Sequence, residues 1–409
     1  MVYAIDTFKT LIQQFPSFTN LLHFLESPAG GSLRAIKCDQ NRYIFRYNKS
    51  TTNFALPHVP WFRSVVWNAV THLPECVAPP KAHEVLTAMD GMVCEELLEG
   101  VMLNAFLDTS GTVNLVSRTK MGATGTFYSS RSFHDLLLDA LKERGMNDLQ
   151  ALKSLFDNNN TFLSLLLQHP EHRIVSKHTA PTVHVIHKGR VEQDGSVHID
   201  EDQGLPRIAV PSTIEPSVIQ LWISQLAEQR GWAWQGVVLK DGQGGRWRFR
   251  SNTYNMVRTL RGDSAREDVR FLRLRERQMV DTYLYYYPED ANRLWNYEQG
   301  VRQLTHILYG LYVNTHMKHE IKFADLPPYW KTHVYTLHSK YLTMLKEQGH
   351  FIRKKDVIQY VNDLPIPRIL HLMKNEASIA MPVRVQVSAR SGSLNSALSN
   401  EQGTNEVIE

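Results

Sequence analysis

The sequence predicts an α+β chain, in which antiparallel or mixed sheets flanked by helices are followed by an all-helical part. Two patterns carry this expectation. From about residue 33 to 264, short runs rich in β-branched and aromatic residues are punctuated by Asn, Asp, Gly and Ser, without the regular strand–helix alternation of a parallel sheet. After about residue 265 the strand signals nearly vanish and long segments repeat their apolar positions with helical spacing.

In chain order, residues 1 to about 32 read as two short amphipathic helices, TFKTLIQQF and TNLLHFLES, closed by the turn PAGGS. Strands are expected at LRAIKCD, NRYIFRYNK, EVLTAMDGMV, GVMLNAFLD and GTVNLVSRT. SFHDLLLDALKERG is apolar on one helical face, with Gly145 able to close it, and MNDLQALKSLFD reads as its helical neighbour. Strands resume with TFLSLLLQ, HRIVSKH and PTVHVIHKGRV. A helix then covers SVIQLWISQLAEQRG, and two strands, WQGVVLKDG and GRWRFRSNTY, meet at a Gly-rich turn. Three long helical stretches follow, beginning at REDVRFLRL, NRLWNYEQG and WKTHVYTLH. The expected organisation is therefore 1–32, 33–264, a helical domain at 265–382, and a disordered tail at 383–409 that is rich in Ser, Asn, Gly and Glu.

The three cysteines, Cys38, Cys76 and Cys94, show neither CxxC nor zinc-finger spacing, so a disulfide framework and a structural zinc site are not expected. No stretch approaches the about 18 apolar residues of a membrane span, and the N-terminus has no basic start before an apolar block. A soluble protein of a reducing intracellular compartment is expected, whether cytoplasm, nucleus or virion.

The 45 Lys and Arg against 41 Asp and Glu leave a formal charge of only +4. That charge is unevenly placed. From Lys240 to Arg277 there are eleven bases, ten of them arginine, against five acids, so this segment carries +6 and the rest of the chain −2. Arginine binds phosphate oxygens bidentately and does not deprotonate, which favours a nucleic-acid or nucleotide partner; a solvated helix face is the competing reading. On strand alternation Arg248 and Arg250 share one face, with Trp247 and Phe249 on the other. His306, His316, His319, His333 and His338 lack an HExxH-type companion, and Tyr283, Tyr285, Tyr286 and Tyr287 sit at helical spacing. Scattered surface or core positions rather than a metal site are expected for the histidines, and helix packing rather than RNA-base stacking for the tyrosines.

Six blocks occur in order: LRAIKCD, ELLEGVMLNAF, VSRTKMGATGTF, TFLSLLLQHPEHRIV, WQGVVLKDG and RWRFRSNTY. This succession resembles the phage-type ATP-dependent RNA ligases of the covalent nucleotidyltransferase superfamily. Their pattern is a KxDG box, a Ser/Arg block with glycines, a Phe-Glu strand leading to Pro-x-x-Arg-Ile-Val, an EGxVxK box and a KxKS block before a helical domain. The resemblance spans about residues 33 to 265 by motif, and the helical part to about 380 less specifically. It implies a nucleotidyltransferase domain, ATP and Mg2+ as cofactors if activity is retained, and RNA as partner. Similar ligases occur in phages and large DNA viruses, so it is compatible with a viral origin. In that chemistry a lysine amine attacks the α-phosphate of ATP, and AMP passes to an RNA 5′-phosphate before the 3′-hydroxyl displaces it.

The chain departs from the pattern where that work is done. Aligning Glu99-Gly100 with the Asp-Gly of the first box puts Leu97 at the nucleophile, the register Asp90-Gly91 puts Ala88 there, and no lysine lies between Lys81 and Lys120. The family's strand glutamate falls on Leu166, and the glutamate of the EGxVxK box on Gln235. Glu99, Gly100, Arg118, Lys120, Arg173, Gly236, Lys240, Arg248, Arg250 and Tyr254 remain. The expectation is a degenerate ligase that binds RNA or a nucleotide: Glu99, Arg118, Lys120, Lys240, Arg248 and Arg250 toward phosphates, and Arg258, Arg261, Arg266, Arg270, Arg273 and Arg277 toward RNA. Arg173 is expected to be a structural partner for a carboxylate. The alternatives are an active ligase with Lys120 as relocated nucleophile, and a scaffold subunit with a protein partner.

Overall fold

The computed structural model describes residues 1–83, 85–87, 91–211 and 214–375. The register through Ala88 and Asp90, and the tail from Val383, lie outside the described residues. The chain forms two compact units, Met1–Asn292 and Arg293–Glu409. The boundary anticipated at 264 falls inside the first.

The first unit opens with strand β1 (Val2–Ile5), helices α1 (Thr7–Gln14) and α2 (Phe18–Glu26), and strands β2 (Arg34–Lys37), β3 (Arg42–Arg46), β4 (Val65–Asn68), β5 (Leu73–Val77), β6 (Val93–Glu96), β7 (Val101–Leu107) and β8 (Val113–Ser117). Helix α3 (Phe133–Lys142), strands β9 (Thr161–Gln168), β10 (Thr182–Val191) and β11 (Val197–Asp200), and helix α4 (Ile219–Arg230) follow. The unit continues through β12 (Gly236–Lys240), β13 (Arg246–Arg250), α5 (Asn252–Arg261), α6 (Glu267–Glu276) and α7 (Val280–Tyr286). The second unit begins within α8 (Ala291–Tyr312) and adds α9 (Pro328–Lys340), α10 (Lys354–Asn362) and α11 (Ile366–Asn375).

The strands make three sheets in the orders β1-β11-β10-β9-β7-β8, β2-β3-β4-β5 and β13-β12-β6. Every strand pair in them is antiparallel. β9 is apolar from Phe162 to Leu167 except at Ser164, because both of its faces are buried. Leu163, Leu165 and Leu167 pack with Leu136, Leu137, Ala140 and Leu141 of α3. On the opposite face Phe162 joins a core with Phe45 and Trp67 of the four-stranded sheet, with Phe62 of the connection between β3 and β4, and with Phe8, Leu21 and Leu25 of α1 and α2. Between these layers Ser164 Oγ donates to Asn104 Oδ1 at 2.6 Å and contacts His187 Nε2 at 2.8 Å, while His187 Nδ1 has no hydrogen-bond partner. Burial pushes the His187 imidazole down to about 3. The small sheet packs Val237 and Leu239 on Trp222 and Ile223 of α4.

Several elements differ from the sequence reading. The N-terminal stretch is not wholly helical, since β1 pairs with β11 in register Val2 with Asp200. HRIVSKH forms no strand: Pro170–His172 is a 3-10 turn, and Arg173 then anchors the chain instead of a ladder. MNDLQALKSLFD forms only a 3-10 segment, Leu149–Leu155. The first long helix breaks into α6 and α7 around Gln278, whose φ of 56° cannot continue an α-helix. Among the described residues no helix is long and apolar enough to cross a membrane.

Candidate functional site

β13 sets the site. It pairs with β12 so that Arg248 faces Val238 and Arg250 faces Gly236 across the ladder. Trp247 and Phe249 pack toward the α4 core. Arg248 and Arg250 enter a cleft of about 890 Å³ together with Lys49, which follows β3, and Lys81, which follows β5. Tyr47, Phe54 and His83 supply its aromatic walls, and Asn252 and Asn255 its neutral polar groups. Among the described residues lining it there is no Asp or Glu.

The electrostatics match this one-sided composition. Burial, then Arg258 and Arg248, pushes the Arg250 guanidinium down to about 10, and its Nε has no hydrogen-bond acceptor. Arg248 is lowered by desolvation and by Arg246. Lys49 is lowered by desolvation and then by Arg248, Arg118, Arg258 and Arg250. Burial pushes Arg63 down to about 10, with Arg246, Arg248 and Arg118 adding to the shift. Each of these cations is lowered first by burial and then by neighbouring arginines.

Arg118 borders the group. Its Nη2 donates to the Tyr47 carbonyl at 3.0 Å and its guanidinium lies 4.9 Å from the Tyr47 ring centroid. Arg258, on α5, contributes through the field just described. Three other expected phosphate contacts are placed elsewhere. Lys240 is 1% exposed and pairs with Glu95 at 2.7 Å and Glu201 at 3.5 Å, because β12 is the central strand of its sheet and turns this side chain inward. Glu99 is buried and accepts from the backbone N–H groups of Val175 and Ser176, each at 3.0 Å, and from Tyr254 Oη at 2.6 Å. Its acidity is weakened by desolvation, against which these donors act. Lys120 is exposed on the turn after β8, where its N–H reaches Ser117 Oγ at 3.2 Å, and it does not line the cleft.

The degenerate positions are equally definite. Leu97 is half-buried and its N–H donates to the Gly236 carbonyl at 3.0 Å, extending the β6–β12 ladder. Leu166 is 5% exposed within β9. Gln235 is buried, with Oε1 lacking a hydrogen-bond partner. Gly236 has φ 132°, and a Cβ there would stand 2.0 Å from the Phe249 carbonyl oxygen, so strand packing explains this glycine. A Cβ at Gly100 would likewise stand 2.6 Å from the Leu167 carbonyl oxygen.

The remaining arginines divide. Arg173 donates to Val175 O and Tyr286 O and pairs with Glu289 at 2.5 Å. Arg261 is buried against Asp290 at 2.7 Å and is committed to that pair, whereas Arg266 is exposed and pairs with Asp268 at the surface. Arg270 is buried while Arg273 and Arg277 are exposed. Lys49, Lys81 and Arg63 were missed in the sequence because they come from segments that flank the strands of the four-stranded sheet, distant in the chain from the arginine-rich segment.

The donor set fits phosphate oxygens. It does not fit Mg2+, which takes oxygen ligands that the described lining does not supply as carboxylates. Among the described residues no group of three or more His, Cys, Asp or Glu is placed to hold a metal ion.

No protein-family model matches the chain, and no curated protein matches it. Among solved structures it is similar to an archaeal ATP-dependent RNA ligase in two forms. Form 1 matches at 10% identity with a TM-score of 0.34, over 91% of this chain and 82% of that one. Form 2 matches at 9% identity with a TM-score of 0.31 and the same coverage. The likeness is coarse at these scores.

Proposed function

We propose that this protein binds the phosphates of RNA or of a nucleotide in the cationic cleft and does not carry out ligation. The observation that carries the reading is the one-sided charge of the cleft: Lys49, Arg248 and Arg250 converge there, with no carboxylate among the described lining residues. A fold with no anion to hold has no reason to gather like charges, which repel strongly when partly desolvated. The motif resemblance supports the same ligand class and names the lost chemistry. Leucine has no lone pair with which to attack an α-phosphate, so the position of Leu97 cannot form a lysine–AMP bond. With Leu166 and Gln235 in place of glutamates, two charges that the family uses beside its metal are absent as well.

In this reading the arginines bind and orient phosphate oxygens bidentately, and Phe54 and Tyr47 offer faces to a base or ribose. Lys120, outside the cleft lining, gives the relocated-nucleophile alternative no geometric support. The test is incubation with α-labelled ATP and Mg2+ or Mn2+, followed by denaturation. No labelled protein is expected, while filter binding of a 5′-phosphorylated RNA under the same conditions is retained. A covalent adduct, above all one lost in Lys120→Ala, overturns the reading.

A further inference from the structure

A second cationic cavity lies within the first unit, where α5 turns into α6. It measures about 340 Å³, with Leu260, Leu274 and Met279 on its apolar side and Arg270, Arg273 and Arg277 on its charged side. Arg261 also reaches it but is neutralised by Asp290.

Arg270 is the informative residue. It is 4% exposed, and no carboxylate lies within ion-pair distance of it among the described residues. Its Nη2 donates to the Ser264 carbonyl at 3.0 Å, its Nε has no acceptor, and its guanidinium lies 5.4 Å from the Tyr128 ring centroid. A buried guanidinium without a counter-anion is costly, and a ring face with one carbonyl offsets only part of that cost. Arg273 and Arg277 follow at helical spacing on the same side. The helix dipole accounts for cations at those two positions near the end of α6. It does not account for Arg270, which lies in the first half of the helix.

We propose that this cavity binds a nucleoside monophosphate unit, with the phosphate on Arg270, Arg273 and Arg277 and the nucleoside against Leu260, Leu274 and Met279. Its volume falls in the range of small-ligand sites, about 300 to 1,000 Å³. Inorganic phosphate would fill a small part of it and leave the apolar wall uncovered, whereas methionine and leucine pack well on a planar base. The unit is either a free nucleotide or one residue of an RNA strand, and this site stands independently of the cleft.

The test uses the full chain carrying Arg248→Ala and Arg250→Ala, so that binding in the cleft does not contribute. Calorimetry with AMP, inorganic phosphate and a hexa-adenylate distinguishes the ligands, and photocrosslinking with 8-azido-AMP locates the site. AMP is expected to bind saturably, more tightly than phosphate, to crosslink within residues 256–279, and to weaken at least tenfold when Arg273→Ala and Arg277→Ala are added. Tighter, competitive binding of hexa-adenylate identifies a strand residue as the source; tighter AMP identifies the free nucleotide. Absence of saturable binding by AMP and hexa-adenylate, phosphate binding as tightly as AMP, or affinity unaffected by the added substitutions in a protein with an unchanged melting temperature overturns the proposal.

Discussion

Tyr254 Oη donates a 2.6 Å hydrogen bond to Glu99 Oε2, and both side chains are buried. The bond ties the loop between β6 and β7 to α5, while the Val175 and Ser176 amides hold the other side of the carboxylate. The resemblance offered Glu99 to a ligand, but the fold uses it as an internal brace. Tyr254→Phe keeps the ring and removes one donor to a charged acceptor, a change costing about 1.5 to 3 kcal/mol. Urea denaturation should show that loss with RNA affinity at low denaturant unchanged.

Lys240 supplies a second structural role for a residue that looked like part of the cleft. Removing one partner of a buried ion pair costs about 3 to 5 kcal/mol, because the other charge is left unpaired. Lys240→Met should therefore destabilise by that order in a denaturant titration. Adding Glu95→Leu should recover much of the loss if the penalty resides in the stranded carboxylate.

Acid should weaken the fold before the carboxylates titrate. Burial, then Arg246, pushes His187 down to about 3, and burial pushes His172 down to about 4, from ordinary values of 6.5. A group depressed in the folded state contributes stability that is present above its unfolded value and lost as pH falls through the folded one. The urea midpoint should thus decline from pH 7 to about 4.5. His187→Gln should flatten that decline; a midpoint unchanged over this window contradicts the assignment.

Restoring a lysine should not restore chemistry. Leu97→Lys returns an amine to the aligned position but leaves Leu166 and Gln235 without charge, and no carboxylate among the described residues lines the cleft. The variant is expected to give no labelled adduct with ATP and Mg2+ in a denaturing gel.

The sequence made the α+β class legible through its change of periodicity, and the clean alternation in RWRFR placed Arg248 and Arg250 on one face. It hid β4 and β5, since VVWN is buried at all four positions and LPECV carries a proline, so neither shows period two. Counting charge in the +6 segment could not separate Arg248 from Lys240 or Arg261. Their acids, Glu95, Glu201 and Asp290, reach them only through the fold, and two of the three lie outside the segment's sequence neighbourhood. Lys49 and Lys81 were hidden for the converse reason, being isolated lysines that tertiary structure brings to the arginines.

The most direct test of the cleft is the salt dependence of binding to a 5′-phosphorylated single-stranded RNA, compared between the native protein and the Arg248→Ala, Arg250→Ala variant. Each phosphate contact to a single strand contributes about 0.7 to the slope of log affinity against log salt. Loss of two contacts should reduce the slope by about 1.4 and the low-salt affinity by tenfold or more. An unchanged slope and affinity in the folded double variant would contradict an anion-binding cleft.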